Sequence, residues 1–205
     1  RELQEMEKDR IASEQKLSPL RELISQARLK EQEAQIVENQ FDEKLKEVEA
    51  NVGPIEVAIY NIGGNIKFGI TETTSQKYYK TWEMAAFGAF LIGKEVAKCM
   101  LRRKAGTIIF TGATASLRGG DGYSAFSGAK HAKRSLAQSM ARELGPQGIH
   151  VAHIVIDGAI DTPWIKELFN DFYNEKKGLD GLMNPNDIAQ NCNNVLDILD
   201  PLSLV

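Results

Sequence analysis

Three compact apolar runs, separated by long stretches of helical spacing, order the second three-quarters of this chain. Residues 55–62, 107–111 and 149–156 are short runs rich in Ile, Val and Thr. That is the pattern of strands buried on both faces of a parallel sheet. Ser75 is placed to cap a helix running to about Arg103. Its apolar positions (Trp82, Ala85, Ala86, Phe90, Ile92, Val96, Met100) nearly encircle it, which predicts burial on several sides. A second helix is predicted over 123–144, where Ala125, Ala129, Ala132, Leu136, Met140 and Leu144 recur at three and four residues. It stops at Gly145-Pro146. From Gly106 to Ile156 the order is therefore strand, glycine-bearing loop, helix, strand, a βαβ crossover. Ser75's helix is preceded by a loop over 66–74. Beyond 156 come a helix over 164–174 carrying Trp164, Ile165, Leu168, Phe169 and Phe172, a loop over 178–183, and a last helix from Asn184 to about Leu199. The tail from Pro201 to Val205 is short for a further strand. The expected fold is α/β: a short, mostly parallel, Rossmann-like sheet of three to four strands with long helices on both faces.

The first fifty residues are different. They are rich in Glu, Lys, Arg and Gln, contain no Gly, and have Pro19 as their only Pro. Leu17, Leu20, Ile24 and Ala27 repeat at helical spacing, as do Ala34, Val37, Phe41, Leu45 and Val48. Ser18-Pro19 reads as an N-cap with Pro at the first helical position. The expectation is a short helix over 2–13 and a long one over 19–50, broken near Lys30. Residues 1–32 then form a charged helical extension, and 33–205 the α/β domain. The charges fit a solvated face with local ion pairs. A coiled-coil arm is the alternative, but the heptads slip after barely two repeats.

Composition narrows the function. The 205 residues are 42% hydrophobic and 26% charged, ordinary for a globular chain large enough to bury a core. A net charge of −3 gives no electrostatic case for nucleic acid or an anionic membrane. No apolar run reaches the roughly 18 residues of a membrane span, and no signal peptide is visible. Cys99 and Cys192 show no metal spacing and read as reduced thiols of a cytoplasmic protein. His131, His150 and His153 share no ligand geometry, so no metal is expected. A start at Arg1 rather than Met suggests an upstream piece.

Five segments, in order, carry a resemblance. They are Tyr60-Asn61-Ile62-Gly63, the 107–130 stretch with its glycine loop and helix, Leu144-Gly145-Pro146-Gln147-Gly148-Ile149, Asp157-Gly158-Ala159-Ile160-Asp161-Thr162, and the helix over 82–100. Together they resemble the second half of the short-chain dehydrogenase/reductase family. The matching segments are the Asn-Asn-Ala-Gly after that family's fourth strand, its Ser-bearing loop and Tyr-x-x-x-Lys helix, its helix-to-strand turn, its Pro-Gly-x-x-x-Thr loop and its fourth long helix. The resemblance covers about 33–186. It implies an NAD(P)-dependent oxidoreductase fold, with Asn61, Gly63, Thr111, Lys130, Gly158 and Thr162 as cofactor contacts. It also implies a homodimer through helices 75–103 and 123–144, and a mobile substrate lid near 164–174.

The resemblance fails at the residues that move the proton. Lys130 matches, but the position four residues before it is Phe126, and the family's Ser falls on Ala113. Its helix Asn falls near Ala85. Tyr123 and Ser116 are each displaced by three residues, most of a helical turn, and are the candidates left for catalysis beside Lys130. The family's Thr-Gly-x-x-x-Gly-x-Gly phosphate loop does not occur before Asn51. Two readings follow: a non-catalytic structural or interaction protein with a degenerate site, or an NAD(P)-dependent oxidoreductase of a small carbonyl or alcohol with atypical residues. With no strand before Ile55, one edge of the 55–62 strand lacks a partner, and either the N-terminal helices or another chain is expected to cover it.

Overall fold

The computed structural model describes residues 2–197, with side chains throughout that range except at 2, 3, 9, 12, 168 and 197. The predicted helix end at Leu199 and the 201–205 tail lie outside the described residues. The chain divides into two compact units, one ending at Glu47 and one running from Val48.

The first unit is most of α1, a single helix Glu2–Asn51. This corrects the two-helix expectation: Pro19 sits inside it, and Ser18 caps nothing. Proline costs the helix one rung, since it has no N–H to give the carbonyl four residues back. The Glu, Gln, Leu and Arg around it are strong helix formers and carry the helix past the gap. Ion pairs along the surface include Arg10–Glu7 at 2.6 Å, Arg21–Glu14 at 2.7 Å and Lys44–Glu47 at 2.8 Å. Each is exposed and contributes little. The expected boundary at 32/33 falls within this helix.

The second unit carries a three-stranded parallel sheet in the order β1 (Val57–Tyr60), β2 (Gly106–Ala113), β3 (Ile149–Ile156). Ile59 aligns with Ile109 and Ala152, and Tyr60 with Phe110 and His153. β1 is shorter than the predicted 55–62. The end of α1 is fixed near it: Arg102 and Arg103 pair with Glu49 at 2.5 and 2.6 Å, and Arg103 also donates to the Ile55 carbonyl at 2.7 Å. Among the described residues β1 has only β2 as a strand neighbour. Val57 and Ile59 remain 40% and 50% exposed.

One helical rod was predicted over 75–103. It consists of α2 (Ser75–Trp82), a π turn at Glu83–Phe87, and α3 (Gly88–Leu101). Thr74, not Ser75, is the cap; its side chain accepts the Lys77 N–H. The rod is not buried on all sides. Ala85, Ala89, Val96 and Met100 are in the core, whereas Trp82 and Phe90 are 37% and 43% exposed. α4 (Ser124–Leu144) packs on the same side of the sheet as α3, where Gly93 of α3 lies against Met140 of α4 and Phe110 of β2. After β3, the short strands β4 (Ala159–Ile160) and β5 (Leu182–Met183) form a separate parallel pair. The predicted 164–174 helix is two helices, α5 (Pro163–Leu168) and α6 (Asn170–Gly178). α7 (Pro185–Asp197) closes the described chain.

Candidate functional site

The site lies at the carboxyl ends of β1 and β2, against α4. The β1 run ends at Tyr60, and Asn61, Ile62 and Gly63 leave the sheet there. Thr111, near the end of β2, donates its hydroxyl to Asn61 Oδ1 at 2.8 Å and lies 3.3 Å from the Tyr60 carbonyl. Lys130 reaches in from α4 and donates to the Thr111 carbonyl at 3.3 Å. A Cβ on Gly63 would lie 3.2 Å from both Lys130 Cε and Nζ, a tight contact that would push the ammonium aside by a few tenths of an ångström. Four of the six expected cofactor contacts, Asn61, Gly63, Thr111 and Lys130, are thus brought together. Gly158 packs on Met183, and Thr162 caps α5 by accepting the Ile165 N–H.

Phe126 stands where the resemblance led us to expect the family phenol. Lys130 Nζ lies 5.5 Å from the centroid of Phe126, a cation–π contact. Tyr123 stands just before α4, its ring 6.2 Å from that of Phe126 and 5.6 Å from the Lys67 ammonium. Ser116 is fully buried, and its Oγ accepts the Ala113 N–H at 3.1 Å. That bond closes the turn after β2 and turns the hydroxyl to the backbone. Ala85 lies within the π turn with no polar atom on its side chain.

Sequence reasoning missed Lys133. It is fully buried, donates to the Ile62 carbonyl at 2.7 Å and shares the Thr111 carbonyl with Lys130 at 3.3 Å. The signal was present in the register. Ala125, Ala129, Lys133 and Ala137 stand four residues apart and are all buried. The helix buries Ala125, Ala129 and Leu144 of the predicted stripe. Ala132 and Leu136, also expected inside, are only half-buried; Lys133 and Ala137 are buried instead, and the small alanines leave room for a lysine stem. Burial, then the Lys130 charge, then the hydrogen bond with Lys130 bring the Lys133 pKa down to about 7. Burial lowers that of Lys130 too, offset in part by its hydrogen bond with Lys133. The His153 imidazole lies against Gly112, where an added Cβ would overlap its ring. Its Nε2 is buried without a hydrogen-bond partner. Burial first, then Arg134, Lys133 and Lys130, push its pKa down to about 4. The site concentrates basic nitrogens, and its two lysine ammonium groups bond to backbone carbonyls.

A parallel sheet with its polar cluster at the strand carboxyl ends defines a Rossmann-like ligand fold. The model of the short chain dehydrogenase family matches residues 2–172, and the chain belongs to that family. Among curated proteins it is similar to the 3-oxoacyl-acyl-carrier-protein reductase MabA of Mycobacterium avium, 28% identical over 127 residues, covering 62% of this chain and 49% of that protein. The chain spans about half the length of the MabA proteins it matches (49% and 51%). Among solved structures, a short-chain dehydrogenase from Rhodopseudomonas palustris is 49% identical with a TM-score of 0.56, covering 62% of this chain and 57% of that one. A Tyr→Phe variant of ElxO with NADPH bound superposes with a TM-score of 0.70 over 76% of this chain and 65% of that one; at 21% identity this is a likeness of fold.

Proposed function

We propose that this chain keeps the family fold and its helical association face but not the family's proton-transfer chemistry, and serves as a structural or interaction protein that self-associates. The observation that carries this is the surroundings of Lys130. Its ammonium lies over the phenyl ring of Phe126 and bonds to a backbone carbonyl, so it has no phenol to activate. Association through the exposed face of α2 and α3 with α4, and coverage of the β1 edge by another chain, belong to the same proposal. So does a cytoplasmic location, with which the buried free thiols of Cys99 and Cys192 agree.

The cofactor proposed, if one binds, is NAD(P). Asn61 and Lys130 offer polar groups beside the bare backbone of Gly63, which suits the ribose and nicotinamide end. Among the described residues no glycine-rich turn opens onto a helix ahead of β1 to hold the pyrophosphate. A bound nicotinamide dinucleotide would supply hydride chemistry. A tyrosine-to-phenylalanine variant of ElxO, similar in fold, is described with NADPH bound.

One observation favours the second reading, an NAD(P)-dependent oxidoreductase of a small carbonyl or alcohol. The ring of Tyr123 lies 6.2 Å from that of Phe126, on which the Lys130 ammonium also rests. A shift of most of a helical turn is large, however, when a misplacement near 1 Å costs about a hundredfold in rate.

Titration with NADH and NADPH by calorimetry, followed by turnover assays on a panel of ketones and aldehydes, tests both readings. The expected outcome is no turnover, either in the unmodified chain or in the double variant Phe126→Tyr with Ala113→Ser. Cofactor-dependent turnover lost on Lys130→Ala or Tyr123→Phe would establish the oxidoreductase instead.

A further inference from the structure

The first half of α1 carries an apolar seam open to solvent. Every described side chain over 4–33 is exposed. Leu17, Leu20 and Ile24 are 44%, 54% and 53% exposed, and with Ala27 they fall at alternating steps of three and four residues. That is the a–d–a–d spacing of two coiled-coil heptads, ended by Glu31 at the next a position. Pro19 falls at position c, off the seam, so its missing rung lies outside the contact face. Helices in proteins draw most of their stability from packing such a face.

The charge along the helix selects the occupant. Residues 2–15 include five acidic and two basic residues, a net of −3; residues 16–30 include four basic and one acidic, a net of +3. The same asymmetry flanks the seam, where Glu7 and Glu14 hold the first e positions and Arg21 and Arg28 the next two. A segment acidic at one end and basic at the other complements itself when reversed. In an antiparallel pair e positions face e positions, so Glu7 and Glu14 of one copy run along Arg21 and Arg28 of the other. A parallel pair sets e against g and brings Arg21 beside Lys16. A uniformly acidic or basic partner would meet one half with like charge. Within the chain Arg21 pairs with Glu14 at 2.7 Å and Arg10 with Glu7 at 2.6 Å. Both pairs are exposed and worth little, so exchanging them for pairs across the contact costs little. We propose that residues 6–30 of α1 pair antiparallel with the same segment of a second copy, Leu17 and Leu20 of each packing against those of the other. This contact is separate from the α2–α3 face and independent of whether the Lys130 site is catalytic. Two apolar heptads make it weak, with Kd on the order of 100 µM. It is therefore unformed at low micromolar concentration and joins particles as concentration rises.

Sedimentation of the full chain between about 5 and about 500 µM tests this, on the unmodified protein and on Phe90→Asp, whose change lies on α3. In Phe90→Asp the mass should rise from one protomer to two; in the unmodified chain it should double from its low-concentration value. Leu20→Asp should raise Kd at least about tenfold. So should Arg21→Glu with Arg28→Glu, which turns the basic half acidic while keeping strong helix formers at both positions; far-UV circular dichroism checks that the helix is kept. Raising NaCl from about 50 to about 500 mM should weaken the pairing severalfold, since the charges are exposed. A spin label on Gln32→Cys reads the direction, the native thiols being buried. At 1.5 Å per residue, an antiparallel pair centred between Leu17 and Leu20 holds the two labels about 40 Å apart. A parallel pair holds them within about 25 Å, little more than two helix diameters. Constant mass up to about 500 µM in both proteins would overturn the proposal. So would a Kd indifferent to both the Leu20 and the arginine changes, or the shorter label distance.

Discussion

At the residue scale, Lys133 has the clearest consequence for stability. Its ammonium is buried, so the folded state holds a proton less readily than the unfolded chain does. The unfolded pKa is near 10.5 and the folded one about 7. Between those values the unfolded chain binds more protons, so stability rises with pH across that window, and the cost of Lys133 is fully present below 7. His153 acts in the same direction lower down. Its folded pKa of about 4 against an ordinary 6.5 means stability is lost as pH falls through that interval. Lys133→Met keeps the stem and removes the charge. It should raise stability at pH 6.5 by about 1–3 kcal/mol, as replacing buried ions by apolar groups often does. The variant should also flatten the rise that the unmodified chain shows between pH 7 and 9. Urea melts at several pH values measure both, and an unaltered slope would show that Lys133 is not the group responsible. The loss of two hydrogen bonds to the Ile62 and Thr111 carbonyls limits the gain.

At the scale of elements, the π turn at 83–87 is held by a contact between distant segments. The Gly88 N–H bonds to the Glu83 carbonyl, five residues back. The Tyr60 hydroxyl, from the last residue of β1, donates to the Met84 carbonyl at 2.5 Å. Tyr60 reaches it only because Gly88 has no side chain: a Cβ there would overlap the phenol oxygen. Gly88→Ala should therefore destabilise by about 1–3 kcal/mol, the range for forced overpacking. Tyr60→Phe should cost about 1 kcal/mol for the lost hydrogen bond. In the double variant the two costs should fall short of their sum, since removing the hydroxyl removes the clash. Strict additivity would show that the overlap is relieved some other way. None of this geometry was legible in the sequence, because a π turn adds one residue without changing residue types. The three strands were legible, since 55–62, 107–111 and 149–156 are short runs rich in Ile and Val, each bounded by Gly or Pro within a few residues. The Pro19 break was misread because the N-cap and first-turn signals of Ser18-Pro19 are local, whereas a long run of helix formers decides the outcome. At the site, motif order pointed to Asn61, Gly63, Thr111 and Lys130, which the structure brings together at the carboxyl ends of β1 and β2. It did not point to Lys133, because a surface-type residue turned inward is visible only once the register of the helix is fixed.

At the scale of the whole molecule, the α2–α3 rod leaves aromatic area uncovered. Tyr79, Trp82, Phe87 and Phe90 stack in sequence, with neighbouring centroids 6.3, 5.9 and 6.2 Å apart. Tyr79, Trp82, Met84 and Phe90 are 52%, 37%, 47% and 43% exposed. Aromatic and Met side chains are what interface cores are enriched in, and a contiguous apolar patch of this kind marks an association site more often than free surface. A specific interface needs roughly 1,000 Å² or more of total buried surface, which a rod of three turns or more, meeting its symmetry mate, can supply. The proposed dimer is isologous, so each of these rings is buried twice, once on each protomer. One charged substitution then places two like charges in one contact. Phe90→Asp should convert the dimer to monomer at low micromolar concentration, read by light scattering, while far-UV circular dichroism stays unchanged because Phe90 is not in the protomer core. A change at Ile36 of α1, exposed at 57%, serves as the comparison; Ile36→Asp should leave the mass of the particle as it was. A monomer in the unmodified chain at that concentration would remove the association proposal, and a dimer dissolved by the Ile36 change but not by the Phe90 change would place the contact on the N-terminal helix.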